Sequence, residues 1–287
     1  MPKDGQKICE QCDEAYFAQE LNCPSCEYEN QPNVALAALK KPKAALEKRY
    51  IAALERAEAS GNLEKVKEFE DFIKSTAKAV VNLDISVLEG IINSRKRYIN
   101  TYELGKISTI IKHPNIKTRR SMIDNFFFPD FGNKMAFAAL ALDGKGIRPY
   151  GNCTITLKEK TIAYRSSLLE DDSFQFFEKL ELQPIKIERK LLYGYISTWE
   201  DKHKLAIAKL ADQITKDDTP ETFTKLLLND EGKMSDARFI EIHIFGFFTV
   251  ASIESFSYFD EATLPNNPRL HKRQLLRIQE LKERFQK

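Results

Sequence analysis

The 287-residue chain has no internal repeat, no low-complexity segment and no apolar run approaching the roughly 20 residues that span a bilayer. Its opening, MPKDGQKICEQC, lacks the apolar stretch of roughly 7–15 residues that marks a secretory signal. A cytoplasmic protein with no membrane partner is therefore expected. Charge of one sign is also missing, because 44 Lys+Arg oppose 42 Asp+Glu for a formal net charge of +2. That excludes a uniformly basic coat for nucleic acid and an acidic solvating tail, so any polyanion must meet a local patch. No Gly-x-Gly-x-x-Gly occurs, which argues against a Rossmann cofactor site. The length suits one large core plus a smaller module, and nothing in it requires disulfides.

Four of the five cysteines fall in the first 26 residues, as Cys9-x2-Cys12 and Cys23-x2-Cys26. Each Cys-x-x-Cys lets two thiolates of one tight turn face a common centre, and two such knuckles complete a tetrahedral S4 site suited to zinc. The spacer DEAYFAQELN is long enough to bring one knuckle back to the other. Redox dithiols are the competing reading, disfavoured by the doubled motif and the cytosolic setting. Four thiolates leave no place for water, so the site is expected to be a structural Zn2+ staple for residues 1–32. Glu10, Asp13, Glu14, Glu20, Glu27 and Glu29 make this ribbon acidic, which favours a structural or protein-docking role over nucleic-acid reading. Cys153 stands apart, expected to be buried in a strand.

Residues 33–101 read as a helical hairpin region. ALAALKKPKAALEKRYIAALERAEAS carries apolar residues at helical spacing up to Gly61-Asn62, with Pro42 a boundary or kink; further helices are expected through NLEKVKEFEDFIKSTAKAVVNL and SVLEGIINSRKRYINTYE. Residues 102–265 read as an α+β domain. There NFFFPDFGNKMAFAALAL suggests a turn and a short buried helix, CTITL and TIAYR two strands joined at Lys158-Glu159-Lys160, TWEDKHKLAIAKLADQI a helix, and RFIEIHIFGFFTVA a strand. Two basic runs stand out. Lys106, Lys112, Lys117, Arg119 and Arg120 lie without an acid between Leu104 and Ile123, and residues 266–287, a basic amphipathic C-terminal helix, hold seven Lys/Arg against two Glu. Either is a solvated face or a contact for phosphates.

Two clusters are candidates for chemistry. Strand alternation in RFIEIHIFG puts Ile240, Ile242 and Ile244 on one face, and Phe239, Glu241, His243 and Phe245 on the other. A carboxylate among aromatic rings costs several kcal/mol unless it is paired, so Glu241 has a partner or a task; a half-exposed Glu beside a hydrogen-bonded His is the plainer alternative. The second cluster spans Arg148, Tyr150, Gly151, Arg165, Ser166, Ser167, Asp171, Asp172 and Ser173. A guanidinium and two hydroxyls leaving a strand end together suit a diphosphate or ribose, with a serine-capped sheet-edge turn as the alternative.

The succession IRPYGNCTITLKEKTIAYRSSLLEDDSFQFF, YGYISTWEDKHKLAIAKLADQI and DARFIEIHIFGFF resembles bacterial ADP-ribosyltransferase-like toxin domains, most nearly the toxin of phage-defence toxin–antitoxin–chaperone systems. The resemblance covers about 140 residues and leaves out the ribbon and the hairpin. It implies an ADP-ribosyltransferase-like split sheet, NAD as substrate, RNA as the acceptor, and a cognate antitoxin as partner. Glu241 then matches the catalytic glutamate, Arg165 or Arg148 the diphosphate ligand, Ser166 and Ser167 the Ser-Thr-Ser-like strand, and Tyr150 a ring that stacks on nicotinamide. The chain departs from the commoner pattern at −2 from the glutamate, where Phe239 replaces Glu or Gln, and carries His243 at +2. Two other functions fit the letters: a non-catalytic zinc-ribbon adaptor, and a metal-dependent nuclease using Glu241, His243 and Asp171 or Asp172.

Overall fold

A computed structural model describes residues 3–10, 12–27, 29–94, 114–180, 189–230, 237–258 and 268–285. They form an α+β fold with ten α-helices and antiparallel sheets. Strands β1 (Gln6–Ile8) and β2 (Ala15–Phe17) pair as a small ribbon. Helices α1 (Pro32–Ala38), α2 (Lys40–Ala59) and α3 (Leu63–Thr76) lead into β3 (Lys78–Leu83), and α4 (Ile85–Ser94) and α5 (Pro114–Phe127) follow. Next come β4 (Met135–Ala141), β5 (Cys153–Leu157), α6 (Glu159–Ile162), β6 (Ser166–Leu169), α7 (Ser173–Lys179) and β7 (Ile196–Thr198). The chain closes through α8 (Lys202–Leu210), α9 (Pro220–Leu227), β8 (Glu241–Phe245), β9 (Ile253–Tyr258) and α10 (Pro268–Phe285). No helix among the described residues is long and apolar enough to cross a membrane.

Local chemistry sets the helix ends. Leu39 is extended at ψ 149° and separates α1 from α2, and Pro42 sits in the first turn of α2, where a missing N–H costs nothing. So Pro42 marks a boundary. At the other end Gly61 takes φ +74°, with Gly61 N donating to Glu58 O at 2.9 Å and Asn62 N to Ala57 O at 2.8 Å, a Schellman closure. In α3 the stripe Val66, Phe69 and Ile73 is fully buried, and Phe69 packs on Phe223 of α9 with ring centroids 4.9 Å apart.

Seven strands share one sheet in the order β7-β6-β8-β4-β3-β5-β9, all pairs antiparallel. Three of its strands differ from the sequence expectation. KAVVNL leaves the predicted second helix and becomes β3, so the sheet takes a central strand from the 33–101 region. MAFAALA is strand β4, not a buried helix; a short run apolar on both faces has no period to separate the two, and its place between β8 and β3 decides. TIAYR is helical, as α6 and a following 3-10 turn, and the strand begins after it at Ser166. Strands β5 and β6, expected as neighbours, are separated by β3, β4 and β8.

Opposed residues of a pair project on the same face. Register therefore puts Glu241, His243 and Phe245 of β8 beside Met135, Phe137 and Ala139 of β4, and Ser167 and Leu169 of β6. The opposite face carries Ile242 and Ile244, as the alternation predicted, and is covered by α2, α3, α8 and α9. The Glu241 face is roofed by aromatic residues, among them Phe127, Phe128 and Phe131 around the end of α5 and Phe176 and Phe177 of α7. The basic C-terminal helix is partly core, with Ile278 and Leu281 buried and Arg277 paired with Glu89 of α4.

Gly151, in the Tyr-Gly motif, has φ +155°, and a Cβ there would lie 2.3 Å from the carbonyl carbon of Leu83. Gly151→Ala is expected to cost about 3 kcal/mol through overpacking and backbone strain. Gly90→Ala in α4, where among the described residues nothing beyond the chain neighbours and the helix's own backbone comes within 4 Å of the added carbon, is expected to be neutral or stabilising. Thermal melts of the two variants check this, and similar melting temperatures would contradict it.

Candidate active site

The ribbon brings Cys9, Cys12, Cys23 and Cys26 together with all four sulfurs within 4.8 Å of one another. Cys9 Sγ lies 3.6 Å from Cys26 Sγ, and Cys12 Sγ 3.6 Å from Cys23 Sγ. A tetrahedron with metal–sulfur bonds of about 2.3 Å has edges of about 3.8 Å, so the spacing fits an S4 metal site. The knuckles repeat one local design. Asp13 N donates to Cys9 O, Glu27 N to Cys23 O, and both residues sit at φ 59°. Four close cysteines can hold a metal ion, in keeping with structural zinc. Cys153 lies buried in β5, and burial pushes its thiol up to about 12, so it stays protonated at neutral pH.

The second cluster is built around three consecutive acids that follow β6, namely Glu170, Asp171 and Asp172, all buried. Each meets a different partner. Glu170 pairs with Arg49 of α2 at 2.7 Å, and that guanidinium also stacks 4.1 Å from the Tyr195 ring centroid. Asp171 pairs with Lys209 of α8 at 2.7 Å and with Lys179 of α7. Asp172 caps α7, accepting from Phe174 N at 2.9 Å and Gln175 N at 3.3 Å. The amide that precedes those two, Ser173 N, donates instead to Glu241 Oε2 at 2.9 Å. Asp172 and Glu241 are thereby held side by side on successive amides of one helix terminus.

Glu241 is 4% exposed and also accepts from His243 Nε2 at 3.0 Å. Because an ionised carboxylate only accepts, Nε2 carries the proton. The imidazole is fixed in turn by Phe128, edge-on at 4.7 Å, and Phe137 at 5.6 Å. Arg120 of α5 closes the cluster. Its Nε lies 2.8 Å from Asp124 Oδ1, an ion pair without hydrogen-bond alignment, and the guanidinium covers the Phe137 ring at 4.0 Å.

These neighbours separate two adjacent carboxyls. Burial pushes Asp172 up to about 7, helped by the charge of Glu241 and opposed by Arg120 and the two cap amides. Burial would raise Glu241 as well, but the His243 bond, Arg120 and Ser173 N outweigh it and hold Glu241 below its ordinary value. Asp172 thus binds its proton far more tightly than Glu241 and titrates near neutrality beside an ionised partner, the arrangement in which paired carboxyls take different chemical roles.

The remaining predicted residues divide between this cluster and the scaffold. Tyr150 joins it, its hydroxyl 3.5 Å from Asp172 Oδ2 while the residue remains 41% exposed, so it links the buried acids to the surface. Arg148 sits nearby on the surface, with Nε 2.8 Å from Asp230 Oδ2. Arg165 is tied to backbone, donating to Thr161 O at 2.9 Å and Phe245 O at 2.6 Å. Ser166 donates to Ile162 O at 2.8 Å on the far face, whereas Ser167 lies opposite His243 on the near face. Phe239, at −2 from Glu241, packs with Val80 and Ile147.

The sequence names Asp172 only within the second cluster and as a nuclease candidate, and Arg120 only within a basic run; it does not anticipate their place beside Glu241. An Asp-Ser pair before the run FQFF is an N-cap signature that points to Asp172. Arg120, expected among surface cations, turns inward. Of the same basic run, Lys106, Lys112 and His113 lie outside the described residues. Comparison with family models and with curated proteins gives no match to this chain.

Two measurements follow from this geometry. The Asp172 proton stabilises the fold fully below its ordinary pKa of 3.8, and that contribution is lost as pH rises through about 7. Asp172→Asn keeps a capping side chain without the ionisation, so its melting temperature should gain on the natural protein between pH 5 and pH 8. Parallel curves would refute this. For the cysteines, a thiol reagent added with a strong chelator to the folded protein should label four sites, and denaturant should be needed to label Cys153. Labelling of all five without denaturant would contradict the buried thiol.

Proposed function

We propose that this protein is an NAD-dependent ADP-ribosyltransferase with Glu241 as its catalytic carboxylate, an ADP-ribosyltransferase-like sheet, and zinc in its cysteine ribbon. One observation carries the reading: a glutamate buried on a strand beside the Ser166–Ser167 strand, fixed by His243 Nε2 and Ser173 N, held below its ordinary pKa and set beside a carboxyl that burial raises to about 7. Loss of nicotinamide from NAD leaves positive charge on the ribose. A fixed anion beneath that charge, in a site roofed by aromatic rings, is worth several kcal/mol because it needs no reorganisation when the bond breaks.

The other residues take roles that follow from their positions. His243 orients Glu241 through Nε2 and does not itself face the substrate. Tyr150, partly exposed beside Asp172, supplies a ring for the nicotinamide. Of the two arginines, Arg148 suits the diphosphate because its side chain reaches solvent, whereas Arg165 is committed to the carbonyls of Thr161 and Phe245. Ser167, on the Glu241 face, is the better placed of the two serines. RNA as acceptor, a cognate antitoxin and a place in anti-phage defence rest on the family resemblance and on the basic runs.

The nuclease reading loses support, because Asp171 is held by Lys209 and Lys179. Among the described residues, the four cysteines are also the one group of three or more ligands close enough for a metal.

Incubation with labelled NAD and either total RNA, DNA or protein, with and without magnesium, tests the assignment. Transfer of label without magnesium is expected, and Glu241→Gln should reduce it by about 100-fold or more while leaving the melting temperature within a few degrees. Glu241→Gln activity within a few-fold of the natural protein would sink the assignment. Magnesium-dependent cleavage would favour the nuclease, and neither reaction the adaptor.

A further inference from the structure

The cysteine ribbon and the Glu241 strand lie far apart in sequence, yet four residues connect them. Asn30 closes the ribbon: its backbone N donates to Leu21 O at 2.7 Å, and its side-chain amide donates to Ala18 O and Glu20 O, each at 2.7 Å. Three residues later Asn33, in the first turn of α1, is 5% exposed and points its amide at the sheet. Asn33 Nδ2 lies 2.9 Å from His243 O, 3.2 Å from Ser167 Oγ and 3.3 Å from Arg165 O. Its acceptors are on both strands of the β6–β8 pair, at the position where Ser167 and His243 are opposed.

The remaining atom of that side chain strengthens the case. Among the described residues Asn33 Oδ1 is buried with no hydrogen-bond partner, a state that an ordinary core position avoids. An apolar residue would pack there without leaving a carbonyl unmet. What an asparagine adds is two N–H donors spanning two strands, and a fixed amide at this point holds the backbone of His243, whose ring in turn holds Glu241.

We propose that Asn33 is a positioning residue that couples the metal-bound ribbon to the Glu241 strand, so that metal in the cysteine site sets the geometry of the carboxylate. The inference rests on the ADP-ribosyltransferase reading for its activity arm and is independent of it for its structural arm. With metal, the knuckles fix residues 9–26, Asn30 anchors to that loop, and α1 enters at the angle that seats Asn33. Without metal, the short ribbon loses its centre, and the clamp across Ser167 and His243 is released.

The test uses full-length protein loaded with zinc, in natural form and as Asn33→Ala, with Leu36→Ala as a control that weakens the apolar packing of α1 in the cluster with Leu169 and Phe245 but removes no hydrogen bond to the strand pair. For transfer from labelled NAD, Asn33→Ala should lower kcat about 10-fold with KM within about 3-fold, and Leu36→Ala should leave kcat within about 3-fold. Asn33→Ser, which keeps one donor, should recover part of the loss and replaces Asn33→Ala if that variant does not fold. Hydrogen exchange supplies the structural arm. Chelating the metal should speed exchange of β6 and β8 amides in the natural protein, while in Asn33→Ala those amides should already exchange fast and chelation should add little.

A kcat for Asn33→Ala within about 2-fold of natural overturns the proposal. So does exchange in β6 and β8 that ignores chelation, or effects of substitution and chelation that simply multiply. Should the natural protein transfer no label to any acceptor, the ADP-ribosyltransferase reading fails, and the exchange measurements still decide the coupling.

Discussion

Three carboxyl groups in succession enter the interior where β6 ends, and the organisation around them depends on how each charge is met. A buried carboxylate stripped of its partner costs several kcal/mol, so Glu170, Asp171 and Asp172 can share one turn only if three separate elements converge on it. Arg49 arrives from α2, Lys209 from α8, and the α7 terminus supplies amides to Asp172. Helices that are remote in sequence are thereby fixed against one strand end. Packing accounts for the stability of the two cores, but this charge arrangement fixes where α7 begins.

The start of α7 in turn defines the candidate site. Successive amides at that terminus take Glu241 and Asp172, which brings a carboxyl of β8 together with the one that caps α7. Burial and the charge of Glu241 raise Asp172 to about 7, while His243 and Arg120 favour ionisation of Glu241. The aromatic roof makes this separation possible. Phe128 and Phe137 hold the imidazole and exclude water, so a charge that develops here meets little screening. A carboxylate prepared in this way suits chemistry in which positive charge appears and vanishes without proton transfer to the substrate.

The ribbon is a different kind of element. Residues 9–26 contain little apolar material of their own, with Cys9, Tyr16 and Cys23 as the buried centre, so their order comes from the four thiolates. Its acidic surface made a structural or protein-docking role the natural expectation. Its connection to α1 gives it a position in the fold as well, because Asn33 reaches both strands of the site.

Much of this was legible in the residues themselves. The Cys-x-x-Cys pairs identified the four-cysteine cluster, since thiolate chemistry and tight turns are local. The end of α2 at Gly61 and the alternation in RFIEIHIFG were likewise readable, because caps and a period of two depend on near neighbours. Strands β3 and β4 were not: KAVVNL and MAFAALA are short apolar runs that a helix or a buried strand accepts equally, and the choice was made by the neighbours they pair with. Arg120 looked like a surface cation because sequence reports charge and not direction. The partners of Glu241 lie 68 residues away at Ser173 and two away at His243, and those of Asp172 include Tyr150, 22 residues earlier. By itself the sequence determined the four-cysteine cluster, the helix boundaries near glycine and proline, and which face of β8 carries the carboxylate. Only the tertiary structure decided which acids share the site and which of them keeps its proton, because burial and the approach of distant charges do not exist until the chain has folded.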